Sequence, residues 1–125
     1  MTTTWTQDEL DEVAGTDELR ISSVRDNGTL SGPRTIWVVR LGDELYVRSV
    51  NGPTAAWYRG TQGSREGHID SGGVSRDVTF ADPDPGTEDA LNAEYRAKYR
   101  GYAANIVNSI LTDKAKSATV KLVPR

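Results

Sequence analysis

Thr35-Ile36-Trp37-Val38-Val39-Arg40-Leu41, then Gly42-Asp43, then Glu44-Leu45-Tyr46-Val47-Arg48-Ser49-Val50 is the stretch that decides the architecture. The first seven residues are β-branched or aromatic at most positions and apolar on both faces, the pattern of a strand covered on two sides. Gly42-Asp43 fits a two-residue hairpin turn with glycine at the first central position. The returning segment alternates, with Leu45, Val47 and Ser49 on one face and Tyr46, Arg48 and Val50 on the other. A tight hairpin of this kind belongs to an antiparallel sheet.

Further strands lie on either side of it. Leu19 to Val24 reads as a first strand that leads into the turn Asp26-Asn27-Gly28. Asn51-Gly52-Pro53 breaks the returning strand, and 54–59 reads as a short helix capped by Thr54. His68-Ile69 sits in a short strand ended by Ser71-Gly72-Gly73. Val74, Arg76, Val78 and Phe80 alternate with polar residues in the next strand. Asp82-Pro83-Asp84-Pro85-Gly86 is a rigid acidic connector. Ala118, Val120 and Leu122 mark a closing strand.

Helices flank the strands. Thr6 and Glu9 form a capping box, and Trp5 is placed to staple onto Leu10. Leu10, Val13 and Ala14 supply the apolar stripe of a helix that Gly15 ends, a lid or plug for one barrel end. Thr87 followed by Glu88 and Asp89 starts a longer helix with acids at its positive end. Leu91, Tyr95, Tyr99 and Tyr102 share one face of it. Gly101 marks a break before a second helical piece around Ile106 and Ile110. No strand-helix-strand alternation occurs, so the expected class is α+β, with one domain over residues 1–125.

Composition removes several functions. The chain has 125 residues, no cysteine and one histidine, His68, so thiolate chemistry and a multi-histidine metal site are excluded. No leader-like basic and apolar run opens the sequence and no membrane span is visible, which makes a cytoplasmic location the expectation. The formal net charge is −3, and a nucleic-acid module would carry a broad basic face instead. The charge is uneven. Residues 1–33 hold seven acids against two arginines, and residues 34–65 hold five arginines against two acids. The central stretch is therefore the place for an anion.

No nucleophile elbow, nucleotide glycine loop or carboxylate pair with a catalytic setting appears. His68 reads as a surface residue. What remains is the arginine-bearing hairpin and the helix after it. Arg34 opens one strand, Arg48-Ser49 closes its partner, Gly52 permits close backbone approach, and Trp57-Tyr58-Arg59 follows. Guanidinium groups grip phosphate, a serine hydroxyl adds a donor, and an indole stacks on a planar ring. The competing reading is that the arginines serve acidic neighbours and Trp57 fills the core. Tyr95, Arg96, Lys98 and Tyr99 form a second patch, either packing or reading an anionic or aromatic substrate.

The run Gly32-Pro33-Arg34-Thr35-Ile36-Trp37-Val38-Val39, with Gly42-Asp43-Glu44-Leu45-Tyr46-Val47-Arg48-Ser49, Gly52 and Trp57-Tyr58-Arg59, resembles the split-barrel flavin-binding superfamily. It is most similar to an uncharacterised bacterial branch of unknown function, and more remotely similar to the deazaflavin-dependent nitroreductases. Trp5-Thr6, Asp26 to Leu30, Tyr95 to Tyr99 and Leu122-Val123-Pro124 extend the likeness over nearly the whole chain. The resemblance implies a six-stranded antiparallel Greek-key split β-barrel with peripheral helices, working as a homodimer with FMN or a deazaflavin coenzyme near the interface. It implies that Arg34, Thr35, Arg48 and Ser49 hold phosphate, that Gly52 allows close approach, and that Trp57, Tyr58 and Arg59 border the ring or phosphate chain. The implied activity is an oxidoreductase acting on a small organic molecule. The alternatives are a cofactor-free barrel that binds or rearranges a small organic anion, and a purely structural homodimer. Under the coenzyme reading, alanine at Arg48 is expected to abolish ligand binding and leave dimer stability nearly unchanged.

Overall fold

The computed structural model describes residues 4–125. Six antiparallel strands close into a barrel: β1 (Glu18–Ser23), β2 (Arg34–Leu41), β3 (Glu44–Arg48), β4 (Glu66–Ser71), β5 (Val74–Ala81) and β6 (Thr119–Pro124). Their order around the barrel is β1-β2-β3-β6-β5-β4, with β4 returning to β1. Five helices surround it: α1 (Gln7–Ala14), α2 (Ala56–Ser64), α3 (Glu88–Lys98), α4 (Ala104–Ser109) and α5 (Asp113–Lys116). The class is α+β, as the element order in the sequence predicts.

The central hairpin forms in the expected register, Leu41 opposite Glu44 and Val38 opposite Val47. Gly42 takes φ 62° in its turn. Inward residues of every strand build one core, including Leu19, Ile21, Val38, Leu45, Val47, Ile69, Val78, Phe80, Val120 and Leu122. Trp5, Leu10 and Val13 belong to that same cluster, so α1 does plug the barrel. Both halves of its capping box are made, and the Trp5 indole donates to the Leu122 carbonyl at 3.0 Å.

The expected alternation in β3 gives way to burial on both faces. Leu45, Tyr46, Val47 and Arg48 are all buried, because α3 and α4 cover the outer face of β2 and β3. There Val39, Tyr46, Leu91, Tyr95, Tyr99, Val107 and Ile110 make a second core. Helix α3 also completes the sheet. Strand β1 begins at Glu18 opposite Trp37, so the next residue, Val38, has no strand partner on that side. The Tyr99 hydroxyl accepts from the Val38 N–H at 3.0 Å, and Lys98 Nζ donates to the Val38 carbonyl at 2.7 Å. Side chains thus stand in for absent ladder bonds.

Two local expectations are corrected. The helix after β3 starts later than predicted: Gly52–Thr54 is a 3-10 turn and α2 begins at Ala56, with Ala55 at its N-cap. Thr54 is spent on the Asn51 carbonyl instead of capping. Thr87 likewise starts α3 without a side-chain cap, its hydroxyl bonding back to the Asp84 carbonyl. No helix among the described residues is long and apolar enough to cross a membrane.

Candidate functional site

A cleft of ≈ 480 Å³ opens where β2 starts and β3 ends, within the range of about 300–1,000 Å³ for small-ligand sites. Arg34 to Trp37 form one wall, Arg48 to Asn51 the floor, Ala55 to Trp57 a second wall, and Ile106, Ser109 and Ile110 the third. The closed register of the central hairpin brings these ends together. Arg34 and Thr35 are exposed at the strand start, whereas Arg48 and Ser49 are each 1% exposed.

Arg48 is the decisive side chain. It is the largest fully buried residue of the fold, yet none of its partners is a carboxylate. Nε donates to Thr119 Oγ1 at 3.0 Å, and one terminal nitrogen donates to Asn92 Oδ1 at 2.6 Å and to the Ile110 carbonyl at 3.3 Å. The other reaches the Glu88 carbonyl at 3.5 Å, a marginal bond. Its guanidinium also lies 5.2 Å from the centre of the Tyr95 ring. Burial lowers the Arg48 pKa, but a guanidinium stays charged in proteins. The result is a positive charge hydrogen-bonded only to neutral dipoles, with the Glu88 charge acting on it without a direct bond, at the edge of a cavity. The next residue, Ser49, also lines the cleft, and its Oγ is buried without any hydrogen-bond partner. A buried guanidinium with no carboxylate hydrogen-bonded to it and an orphaned buried hydroxyl, both in the lining of one cleft, fit an anionic, oxygen-rich ligand.

Of the residues the sequence singles out, the cleft collects Arg34, Thr35, Arg48, Ser49 and Trp57. Trp57 is half-buried, packs against the barrel core and meets Tyr58 edge-on at 6.3 Å. Gly52, Tyr58 and Arg59 are not among the lining residues. Gly52 takes φ 77°, and a Cβ there would press on Lys114 at 3.1 Å, so its small size serves the packing of α5. Tyr58 packs on the barrel core and Arg59 is exposed.

The second patch is dispersed. Tyr95 and Tyr99 are fully buried, and Tyr99 lies parallel to Trp37 at 3.7 Å. Arg96 is exposed, and Lys98 belongs to a separate groove. Sequence reasoning missed Asn92 and Thr119, the two side chains that hold Arg48. Thr119 sits opposite Arg48 across β3 and β6, a pairing that no local signal announces. His68 bonds Asp77 at 2.9 Å and Ser75 at 2.8 Å on the outer face of the β4–β5 hairpin, away from the cleft. Among the described residues no group of three or more histidine or carboxylate side chains is placed to hold a metal ion.

The description "Uncharacterized protein conserved in bacteria (DUF2255)" matches residues 9–122. The chain belongs to the DUF2255 family. Solved structures carry the fold further. The DUF2255 chain is similar to the heme storage protein HutZ of Vibrio cholerae, with TM-score 0.66 and 15% identity over 100% of this chain and 92% of that one. It is similar to a putative pyridoxamine 5'-phosphate oxidase of Listeria innocua, with TM-score 0.63 and 13% identity over 93% and 90%. An F420 reductase aligns with TM-score 0.54 and 16% identity over 92% and 90%. At such identities the likeness establishes the fold alone: this DUF2255 barrel is a split barrel. No curated protein matches the chain.

Proposed function

We propose that the cleft holds the phosphate-bearing tail and part of the ring of a flavin-type or deazaflavin coenzyme, FMN or F420-like, and that the protein is an oxidoreductase acting on a small organic molecule. The single observation that carries this reading is that one cleft is lined by both Arg48, a buried guanidinium hydrogen-bonded to no carboxylate, and Ser49, a buried hydroxyl without a partner. The cleft lining fits the group. Arg34 and Thr35 at the mouth and Ser49 on the floor donate to phosphate, with Arg48 supplying charge from behind them. Trp57, Ile36 and Ile110 offer apolar surface to a planar ring.

Bound there, such a coenzyme supplies hydride transfer. The chain's own residues then bind and orient. No histidine or carboxylate lines the cleft, so protons come from water or from the substrate. The same lining bears on heme. Among the described residues it contains no histidine, methionine or tyrosine to serve as axial ligand, which favours a flavin-type guest.

Val50 and Ile106, both large and exposed, sit at the cleft mouth. That placement supports a homodimer in which a second copy covers the opening, measurable by sedimentation.

Titration with FMN, with riboflavin and with a deazaflavin coenzyme, followed by fluorescence and thermal shift, tests the assignment. Saturable binding is expected, and Arg34→Ala should weaken FMN by about tenfold while changing riboflavin far less. Absence of binding to all three at saturating concentrations removes the proposal. A shift with simple anions alone would leave the cofactor-free alternative standing.

A further inference from the structure

Helix α3 buries three side chains, Leu91, Asn92 and Tyr95. Leu91 and Tyr95 belong to the second core, whereas Asn92, only 6% exposed, is committed to Arg48. Its Oδ1 takes the shortest of the Arg48 bonds, 2.6 Å from Nη1. The same nitrogen donates to the Ile110 carbonyl at 3.3 Å, and Ile110 lines the cleft, as Arg48 does. A guanidinium has donors only, so the amide must turn its oxygen toward it. Asparagine and aspartate fill nearly the same space, and a buried cation ordinarily takes a carboxylate partner. Here the partner is the uncharged one of the two.

Building on the coenzyme reading of the cleft, we propose that Asn92 sets the charge preference of that site. As a neutral acceptor it fixes the Arg48 guanidinium without cancelling its charge, so the cleft selects a phosphate-bearing guest over an uncharged one with the same ring. A carboxylate at this position would close an ion pair inside the protein and leave little field for the cleft. The amide gives the same bond and leaves the positive charge in place. The other acceptors around Arg48, Thr119 Oγ1 and the carbonyls of Ile110 and Glu88, are uncharged as well. The Glu88 carboxylate acts on Arg48 without bonding it, and Lys116 Nζ, 3.7 Å from that carboxylate, offsets it. A buried charge without a bonded counterion costs the empty protein stability, and an anion in the cleft recovers part of that cost. Asn92 itself does not line the cleft. It is a positioning residue that acts through Arg48.

The test compares wild type with Asn92→Asp and Asn92→Ala. FMN and riboflavin share a ring and differ by a phosphate, and flavin fluorescence follows the binding of each. Thermal shift follows inorganic phosphate. Asn92→Asp keeps the bond and adds a negative charge, so FMN affinity should fall by about tenfold while riboflavin affinity holds. Asn92→Ala removes the bond but adds no charge, so it should retain more FMN affinity than Asn92→Asp. A purely structural asparagine predicts the reverse order, because a carboxylate would still hold Arg48 and a methyl group would not. That reverse order, or equal FMN affinity in wild type and Asn92→Asp, overturns the proposal. If Asn92→Ala fails to fold, the FMN-to-riboflavin affinity ratio of Asn92→Asp decides alone.

Phosphate separates the role of Asn92 from the coenzyme reading. Should wild type respond to phosphate but bind no flavin, the coenzyme reading falls. Loss of the phosphate shift in Asn92→Asp then still upholds the role of Asn92, and an unchanged shift overturns it. A wild type indifferent to flavins and phosphate alike overturns both.

Discussion

Arg48 shows how a residue can be picked out correctly while its energetics are misjudged. Its chemistry was visible in the sequence, but its depth was not, because Asn92 and Thr119 come from a helix and a strand far along the chain. The expectation for alanine at this position concerned binding and the dimer; burial adds a cost to the fold itself. Arg48→Ala strands both partners in the interior, and chemical denaturation should register a loss of about 2–4 kcal/mol. Ser49 behaves in the opposite sense. Its buried hydroxyl bonds nothing, so Ser49→Ala should hold or slightly raise the denaturation midpoint while weakening FMN binding. A fall in stability together with unchanged FMN affinity would refute the role given to that oxygen. A structural serine cannot produce the expected split.

Among the elements, α3 does more than pack. The spacing of Leu91, Tyr95 and Tyr99 makes its buried face legible from sequence alone. What the tyrosine hydroxyls reach was not legible, since that depends on where β1 stops relative to β2. Tyr99 replaces a missing ladder partner at Val38, so Tyr99→Phe should cost about 1–3 kcal/mol and speed amide exchange at Val38. Unaltered exchange there would show that the phenol is dispensable. Turn chemistry was read well where glycine is mandatory, as at Gly42, and poorly where Thr54 and Thr87 had competing carbonyls nearby. One glycine escaped notice entirely. A Cβ on Gly67 would collide with the Ser22 carbonyl and the Phe80 ring, so Gly67→Ala should open the β1–β4 seam and lower the thermal midpoint sharply.

For the molecule as a whole, hydrophobic alternation and turn signals sufficed for four or five short strands and the α+β class, and the count of six came from the family resemblance. Strand order did not follow from them, because β3–β6 and β1–β4 pairings join segments with no sequence proximity. Stability against pH is a property of this whole assembly. Burial pushes Glu9 up, but the Thr6 amide and Arg76 guanidinium outweigh it and hold its pKa below the ordinary value. That contribution is present above the unfolded-state value and is lost as pH falls through the folded one. At the alkaline end, Lys98 titrates near 8 in the fold and near 10.5 when unfolded. Between those values the unfolded chain binds more protons, so stability rises with pH. Burial raises the pKa of Tyr95 and of Tyr99 above their ordinary 10, which reverses the slope at higher pH. Urea midpoints across this range should pass through a maximum, and Lys98→Met should flatten the rising limb.

The position of β6 has a consequence for biosynthesis. It lies between β3 and β5, yet it leaves the ribosome after both. Until it arrives, two open edges of a nascent sheet stand side by side with their amide groups unsatisfied. The wall can be sealed only when the Thr119–Pro124 segment has cleared the exit tunnel, so cooperative folding is deferred to the end of this domain's translation.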